Sequence, residues 1–445
     1  MLARVCMGLA LLVALPAWSQ VEPSATGPAI TPTDESPMQT PPPVSGEAYP
    51  TVVGAEMRSN YLTAGMTFTT AYDDNVLPGA SAKPIADVTY SMWPTISLDQ
   101  TNTRQRRTFI YSPGFTIYQS TSALNAVDQN AALDFQYRLS PHATISVRDS
   151  FLQSSNVLSQ FNSTLGESIS GSGQPPPAAV IVPFADQLSN LVNVVASYQF
   201  SRNSMVGAGG SFSSLSYPDP TEAAGLHDSN SRGGAAFYSH RLSSTQYLGA
   251  AYQYSRSQAN AVPTPSETQT HAFSSFYTVY LKRSLSLSLE VGPQHFDASQ
   301  SSSPPSSSWV PAALASIGWQ RSHTNLAASY SRTVTGGGGL AGAFESSSAN
   351  ASASWQVEHA WVVASSASYA INKDLTPLFS STSSSGHSIL GAISLHHSVG
   401  ERIRVEGGYD RMHESYSGIA VISAAPDIDR GFISVSYQFT RALGR

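Results

Sequence analysis

The sequence predicts an all-β fold: a transmembrane antiparallel β-barrel of the outer-membrane kind, with about 18 strands (16 to 18) and a disordered N-terminal tail. Three observations predict it. Strand-length segments alternate large apolar with small polar residues, short and long connections follow one another in turn, and only 12% of the 445 residues are charged. An average soluble chain has about 25%, so the outer surface of this protein is not a conventional charged one.

The composition excludes several other classes of protein. The hydrophobic fraction is 41% and the mean hydropathy is −0.12, which is too low for a bundle of membrane-spanning helices. The net charge of −6 offers no basic surface for nucleic-acid phosphates, so nucleic acid is not expected as a partner. The single cysteine, Cys6, lies in a predicted targeting segment, which leaves the mature chain without disulfides or thiolate metal ligands.

The N-terminal region divides into two predicted segments. Residues 1–19 have the features of a secretory signal peptide, with Arg4 before the apolar stretch Val5–Val13 and a cleavage motif ending at Ser19. Residues 20–58 are rich in Pro, Ser and Thr, which favours a disordered periplasmic linker. A partner-binding role for the proline run 41–43 is the alternative. The barrel is predicted over residues 59–445.

The strand segments have a period of two residues. Within Ser284–Val291, Leu285, Leu287, Leu289 and Val291 share one face, and the other four residues of the segment are three serines and a glutamate. The last such segment ends in Tyr437 and Phe439 and resembles the signal read by the outer-membrane assembly machinery, which is therefore an expected partner. Unlike the usual signal, it is followed by six further residues.

The connections predict which ends of the strands lie together. Tight turns, such as those at Arg202-Asn203 and Ser243-Ser244, alternate with long Ser-, Gly- and Pro-rich loops, a pattern typical of outer-membrane barrels. The longest loop, Gln153–Gln187, is predicted to fold inward as a constriction. The long loops are predicted near residues 75–84, 120–127, 154–187, 216–229, 257–266, 294–308, 334–345, 373–386 and 413–428.

Charge is segregated by sign between the two kinds of connection. Arginines gather at the short turns and carboxylates in the long loops. One interpretation is that charges simply leave the lipid zone, where a cation at mid-depth costs about 2–4 kcal/mol. The functional interpretation is a basic inner mouth that attracts anionic solute. The candidate lumen and selectivity residues are Arg138, Arg148, Arg402 and Arg404.

The sequence offers little for catalysis or metal binding. Gly336–Gly339 lacks the Lys and Ser/Thr of a phosphate loop and is interpreted as a flexible loop. His396 and His397 are adjacent on a strand, so they point to opposite faces and cannot share a metal. His240 or His271 could meet a serine of a neighbouring strand, as in barrel hydrolases, but so many serines make such a pair expected by chance. We therefore expect no enzyme activity and assign no catalytic, cofactor-binding or metal residue.

Two short motifs carry a resemblance to a known family. With the signal peptide and the Pro-rich tail, the segment Thr70-Ala71-Tyr72-Asp73-Asp74-Asn75-Val76 and the terminal Tyr437-Gln438-Phe439 resemble the outer-membrane β-barrel porins, many of which are found with exopolysaccharide loci. The resemblance covers about residues 59–445. It implies a diffusion or export pore in the outer membrane of a Gram-negative cell, with the tail in the periplasm, and no catalytic residues.

The expected partners follow from that resemblance. They are outer-membrane lipid and lipopolysaccharide, the assembly machinery, and a polysaccharide or small polar solutes as cargo. Acidic exopolysaccharide is the specific cargo considered. The alternative function is a structural or adhesive surface protein whose acidic loops bind divalent cations. A β-solenoid would require a fixed repeat, which the variable loop lengths do not show.

Overall fold

The structure of the chain is a computed structural model. The predicted signal peptide (1–19) and linker (20–58) lie outside the described residues. The structure describes residues 59–76, 84–154, 186–219, 226–260, 265–282, 284–300, 303–336, 340–358, 360–376, 385–417 and 427–443.

The described residues form one closed barrel of 18 antiparallel strands, which confirms the predicted fold class and strand number. Each strand pairs with its neighbours in the sequence, and the first strand also pairs with the last. The strands are β1 (Ser59–Asp73), β2 (Asp87–Thr101), β3 (Gln105–Tyr118), β4 (Ala126–Arg138), β5 (Ala143–Ser154), β6 (Gln187–Ser201), β7 (Ser204–Ser216), β8 (Ser229–Ser243), β9 (Gln246–Ala259), β10 (Ser266–Lys282), β11 (Leu285–Gln300), β12 (Ser303–Arg321), β13 (Thr324–Thr335), β14 (Phe344–Glu358), β15 (Trp361–Asp374), β16 (Gly386–Val399), β17 (Ile403–Tyr416) and β18 (Asp427–Ala442).

The barrel has two different ends. At one end the strands are joined by short connections such as 202–203 and 322–323, and at the other mostly by longer ones such as 217–228 and 375–385. We call these the short-turn end and the long-loop end. β1 begins and β18 finishes at the short-turn end, so both ends of the barrel sequence lie there.

One predicted long loop is wrong. Residues 294–308 are not a loop, because β11 continues to Gln300 and β12 begins at Ser303. The alternation is still present in this stretch: Phe296 is buried on the inner face and Trp309 is exposed on the outer face. The run of serines and prolines suggested a loop, but backbone pairing between β11 and β12 holds it as strand.

Inner and outer faces follow the two-residue period. On β11, Leu287, Leu289 and Val291 are exposed on the outer face, whereas Ser288 and Glu290 are buried on the inner face. A sheet closed in this way has no free edge at mid-height and presents apolar side chains outward. No helix among the described residues is long and apolar enough to span a membrane.

A row of rings marks the outer face toward the long-loop end. Tyr254, His271, His295 and Trp309 are successive register partners from β9 to β12. Ring centroids are 5.1 Å apart for Tyr254 and His271, and 4.8 Å apart for His295 and Trp309. Such aromatic girdles lie where a barrel crosses a membrane interface. Residues on the loop side of this aromatic row therefore lie outside the membrane-spanning part.

Candidate functional site

The interior of the barrel is crossed near the long-loop end by the tip of the β13–β14 hairpin. β13 pairs with β12 only from Thr324 to Arg332, and beyond that point its last residues turn inward. The inward-facing Gln294 of β11 holds them there. Its side-chain oxygen accepts a hydrogen bond from the Val334 amide at 2.8 Å, and its side-chain nitrogen donates to the Val334 carbonyl at 3.0 Å.

Residues 334–336 and 340–344, which we call the crossing segment, reach several parts of the inner wall. The backbone at Gly336 lies so close to Ser257 of β9 that an added Cβ would be 2.2 Å from the serine Cβ. The Gly342 amide donates to the Ser266 hydroxyl of β10 at 3.2 Å. Gly342 has a φ of 110°, a backbone conformation that glycine adopts without a steric penalty. Glycine at both positions therefore permits this path.

Apolar contacts anchor the crossing segment on opposite sides of the interior. Leu340 and Phe344 are buried in a cluster with Leu215 of β7 and Tyr416 of β17. On the other side, Val334 packs in a separate cluster with residues of β11 and β12. Because buried apolar side chains stabilise by about 1.5–3 kcal/mol each, the segment is fixed across the opening. It narrows the interior at the long-loop end.

A chamber of about 340 Å³ lies on the inner side of the wall beside the crossing segment. Glu290 is the only charged residue among its described lining, and the Ser274 hydroxyl donates a hydrogen bond to its carboxylate. The other polar groups in the lining are hydroxyls and amides, a composition suited to hydrogen-bonding hydroxyl groups of a solute. They include Asn193, Ser211, Gln253, Ser255, Thr270, Gln294 and Thr333.

A second charged feature of the interior is a row of four register partners. Asp410 on β17 is opposite Arg430 on β18, Arg430 is opposite Asp73 on β1, and Asp73 is opposite Asp87 on β2. All four side chains are buried. The row holds three carboxylates and one guanidinium, and the Asp87 carboxylate accepts hydrogen bonds from Ser120 and Thr121, so this sector of the wall is acidic.

The four arginines predicted as lumen residues occupy different positions. Arg138 and Arg148 share the inner face with Asp134, and Arg148 forms an ion pair with Asp134 at 3.0 Å. Arg404 lies on the inner face of β17. Arg402 lies in the preceding turn, where its guanidinium is 5.7 Å from the centre of the outward-facing Phe439 ring. The geometry therefore gives three of the four a position facing the interior.

The described histidines do not assemble a metal centre or an acid–base relay. Ser204 does meet His240, with 2.9 Å between the hydroxyl oxygen and Nδ1, but His240 has no ion pair with a carboxylate in the described part of the chain. His271 contacts the Tyr252 hydroxyl at 2.8 Å instead of a serine. His397 stacks on Trp361 on the outer face, whereas His396 faces inward. No group of three or more His, Cys, Asp or Glu in the described ranges could hold a metal ion.

The inward-folded element among the described residues, the crossing segment, is not the loop for which the sequence predicts that role, and the prediction for that loop is not tested. The loop predicted as the constriction, Gln153–Gln187, falls almost entirely on residues 155–185, outside the described part of the chain. From its sequence, Gly336–Gly339 is interpreted only as a flexible loop. A usable signal was present in the sequence: the glycines are followed at once by Leu340, Ala343 and Phe344, which is an apolar group unsuited to an exposed loop.

A closed barrel with an apolar outer face and a polar, partly crossed interior defines the class of membrane-spanning β-barrels. No family model and no curated protein sequence matches the chain. Among solved structures, it resembles Pseudomonas aeruginosa OccK2 (OpdF), with 10% identity, 86% of this chain and 98% of that chain covered, and a TM-score of 0.42. It also resembles Acinetobacter baumannii OccAB3, with 9% identity, 86% of this chain and 99% of that chain covered, and a TM-score of 0.40. For the ferric citrate transporter FecA the identity is 9%, the coverage is 87% of this chain and 79% of that chain, and the TM-score is 0.43.

Proposed function

We propose that this protein is an outer-membrane channel for small polar solutes. The observation that carries the proposal is the combination of a closed 18-stranded barrel, apolar outside, with a polar interior narrowed by the crossing segment. A barrel of this size leaves an aqueous channel unless something fills it. The crossing segment lies at one end and is anchored at its edges, which makes it a constriction rather than a filled core.

The orientation follows from the connections. Outer-membrane barrels of Gram-negative cells have short periplasmic turns and longer external loops. We therefore place the short-turn end in the periplasm. The Pro-rich tail, which follows the predicted signal peptide, would lie there as well. The crossing segment then lies near the cell surface, and Arg138 and Arg404 lie near the periplasmic mouth.

The lining of the chamber indicates the chemistry of the solute. Hydroxyls and amides surround a single carboxylate, Glu290, which favours neutral or cationic solutes with several hydroxyl groups. A carboxylate in a restricted, poorly hydrated space repels anions more strongly than one in bulk water. Small carbohydrates or polyols fit this description.

Acidic exopolysaccharide is the second candidate cargo. Its support comes from the periplasmic mouth, where Arg138 and Arg404 share the inner face. Positive charge at the mouth of a channel raises the local concentration of anions there. The chamber argues against it, because an acidic polymer would have to pass Glu290.

The outer leaflet is the proposed environment of the long-loop end, with lipopolysaccharide as the expected lipid. Arg232 and Arg256 are direct register partners on the outer face, one step beyond the aromatic row. Glu267 pairs with Arg256 at 2.6 Å. Two cations and one carboxylate leave an excess of positive charge that a lipid phosphate would neutralise.

Single-channel recording of the folded mature protein in a planar bilayer tests the proposed channel. We expect stable conductance steps, with the current reduced by a neutral sugar that enters the chamber. Gln253→Ala removes one amide from the chamber, so it should weaken the block by the sugar without lowering the conductance.

Two results would contradict the channel. Electrical silence from protein shown by circular dichroism to be a folded barrel would mean that the interior is closed. Loss of cell binding on trimming the external loops, together with that silence, would support the structural or adhesive alternative.

A further inference from the structure

The wall of the barrel is split between β12 and β13 at the long-loop end. The ladder joining them begins at Ala313 and Arg332, whereas β12 extends ten residues further, to Ser303. Throughout the described residues of that extension, β12 pairs with β11 alone. The tip of β13 has turned inside, where Gln294 holds Val334. Among the described residues, the part of β12 from Pro304 to Ala312 thus has one edge without a neighbouring strand.

The sequence of β12 is suited to such an edge. Pro311 is opposite Pro293 of β11. Neither proline has an amide hydrogen, so the hydrogen bonds to β11 at this point must be made by the flanking residues, including Val310 and Ala312. The odd-numbered positions of β12 therefore direct their backbone groups toward the missing neighbour. Two of these positions, Pro305 and Pro311, have no amide to leave unpaired.

Proline within a sheet is confined to edges and bulges. An unpaired backbone amide in hydrocarbon is also costly, which normally forbids open edges in membrane barrels. Prolines at the split reduce that cost. The split is thus encoded in β12 and is a property of the sequence as well as of the fold.

The chamber reaches the wall at this split. Its lining includes Ala312 and Leu314 on β12 and Val334 on β13, which are apolar, together with the polar groups around Glu290. On the outer face Trp309 of the aromatic row belongs to the split part of β12, and Pro311 is one step closer to the middle of the membrane. The split therefore extends past the aromatic row into the outer leaflet.

We propose that this split is a lateral passage for amphiphiles, whose polar head occupies the chamber while the apolar chain passes between β12 and β13 into the lipid. Each part of the ligand meets matching chemistry: hydroxyls, amides and Glu290 for a polyhydroxylated head, and Ala312, Leu314 and Val334 for an alkyl chain. The ligand class is a neutral glycolipid or alkyl glycoside. This inference rests on the proposed outer-membrane location but not on ion conduction.

A removable lock across the split tests the passage. Continuing the β12–β13 register places position 311 opposite position 334, so the double variant Pro311→Cys, Val334→Cys should form a disulfide when β13 rejoins β12. The mature chain has no other cysteine. The matched control is Ala315→Cys, Tyr330→Cys, a pair already in register below the split. The readout is transfer of a fluorescent dodecyl maltoside into proteoliposomes.

We expect oxidation to slow transfer at least tenfold in the first variant, reduction to restore it, and the control pair to show no change. Equal transfer rates in the oxidised and reduced forms would overturn the passage. A lock that lowers ion current and transfer by the same factor would also overturn it, because both would then use the axial pore. Transfer that depends on the lock in a protein that passes no current would leave the passage standing and refute the channel.

A second measurement does not depend on forming the disulfide. Dodecyl maltoside carrying a diazirine in its alkyl chain is photoactivated with the unmodified protein in a bilayer. We expect adducts on the peptides containing Ala312, Leu314 and Val334 to exceed, at least fivefold, those on the outward-facing Ile389 and Ile393 of β16. Uniform labelling of the outer face would overturn the proposal.

Discussion

Asp73 and Arg430 form an ion pair across the seam where the first strand meets the last. The Arg430 Nε atom is 3.4 Å from the Asp73 carboxylate oxygen Oδ1, and both side chains are only 1% exposed. The neighbouring residues extend this contact. The Asp74 carboxylate accepts a hydrogen bond from the Asp429 amide at 2.8 Å, and the Asn75 side chain donates to the Asp427 carbonyl at 3.1 Å. The segment Asp73-Asp74-Asn75, which belongs to the motif that resembles the porin family, therefore makes contacts that join the first strand to the last.

Removing the guanidinium should destabilise the seam strongly. We expect Arg430→Met to lower the free energy of unfolding by about 3 kcal/mol, because it leaves the Asp73 and Asp410 carboxylates buried without a cation. Urea unfolding in detergent micelles measures the change. Arg411→Met is the matched control on the outer face, where the exposed arginine faces Asp427 and Asp429 and should shift the midpoint little. Equal shifts for the two variants would show that burial of the pair is unimportant.

Releasing the crossing segment should widen the pore. Gln294→Ala removes both hydrogen bonds to Val334, so we expect a higher single-channel conductance and noisier open current. Replacing residues 336–343 by a short Gly-Ser turn should raise the conductance further. Gln129→Ala, on the outer face, serves as control. An unchanged conductance in both interior variants would mean that the crossing segment does not limit the current.

The carboxylate in the chamber should set ion preference. Glu290→Gln removes the only charge in the described chamber lining, so the permeability ratio of cations to anions should fall. The reversal potential in a salt gradient measures it. Glu345→Gln, which alters a carboxylate paired with Arg332 on the outer face, should leave the potential unchanged. A shift of the same size in both variants would assign the effect to surface charge.

The arginines at the short-turn end should contribute unequally to selectivity. Arg138→Gln should lower the permeability to anions most, and Arg404→Gln should lower it less because the Glu406 carboxylate on the same strand interacts with that guanidinium. Arg148→Gln should have a smaller effect because Asp134 already neutralises that guanidinium. Arg402→Gln should have none, since this side chain lies over Phe439 on the outer face. Four equal shifts of the reversal potential would contradict the placement of these residues.

The Arg256–Glu267 pair predicts a pH dependence on the loop side of the aromatic row. The hydrogen bond from Arg256 holds the pKa of the Glu267 carboxyl at about 2, against an ordinary value of 4.5. A lowered carboxyl pKa contributes stability above the unfolded-state value, and this contribution is lost as the pH falls through the folded-state value. The difference in thermal midpoint between wild type and Glu267→Gln should stay constant from pH 8 to about 5.

Below that range the difference should shrink and vanish near pH 2. Ser299→Ala, at the register partner of Glu267 on β11, provides a control without a titrating group. A difference that already disappears near pH 6 would mean that Arg256 does not hold the carboxylate.

The sequence was sufficient for the fold because the barrel is built from a local period. Alternation within each strand predicts opposite faces for residues such as Leu287 and Ser288. The lengths of the connections predict which strand ends lie at the short-turn end and which at the long-loop end. The interior could not be derived in the same way. The contact between Gln294 and Val334 joins non-neighbouring strands, and no local pattern marks such a partner.

The same limit explains why particular residues lie elsewhere than the local period predicts. Arg402 is two residues from Arg404, so strand alternation predicts the same inner face for both. Arg402 lies in a turn, however, where the alternation does not apply, and its side chain lies over Phe439. The prolines of β12 suggested a loop because proline usually interrupts a sheet. They instead occur at an edge of β12 that exists only because β13 turns into the interior. That turn depends on tertiary contacts, which the local sequence pattern does not show.

Closure of the barrel between β1 and β18 also has a consequence for biogenesis. The hydrogen bond between Thr63 and Thr440 joins residues 377 positions apart, so the first strand cannot find its partner until almost the whole chain has been synthesised and exported. Until then both terminal strands expose free edges that other chains could pair with. A truncation that removes only Asp427–Ala442 would therefore leave seventeen strands unable to close.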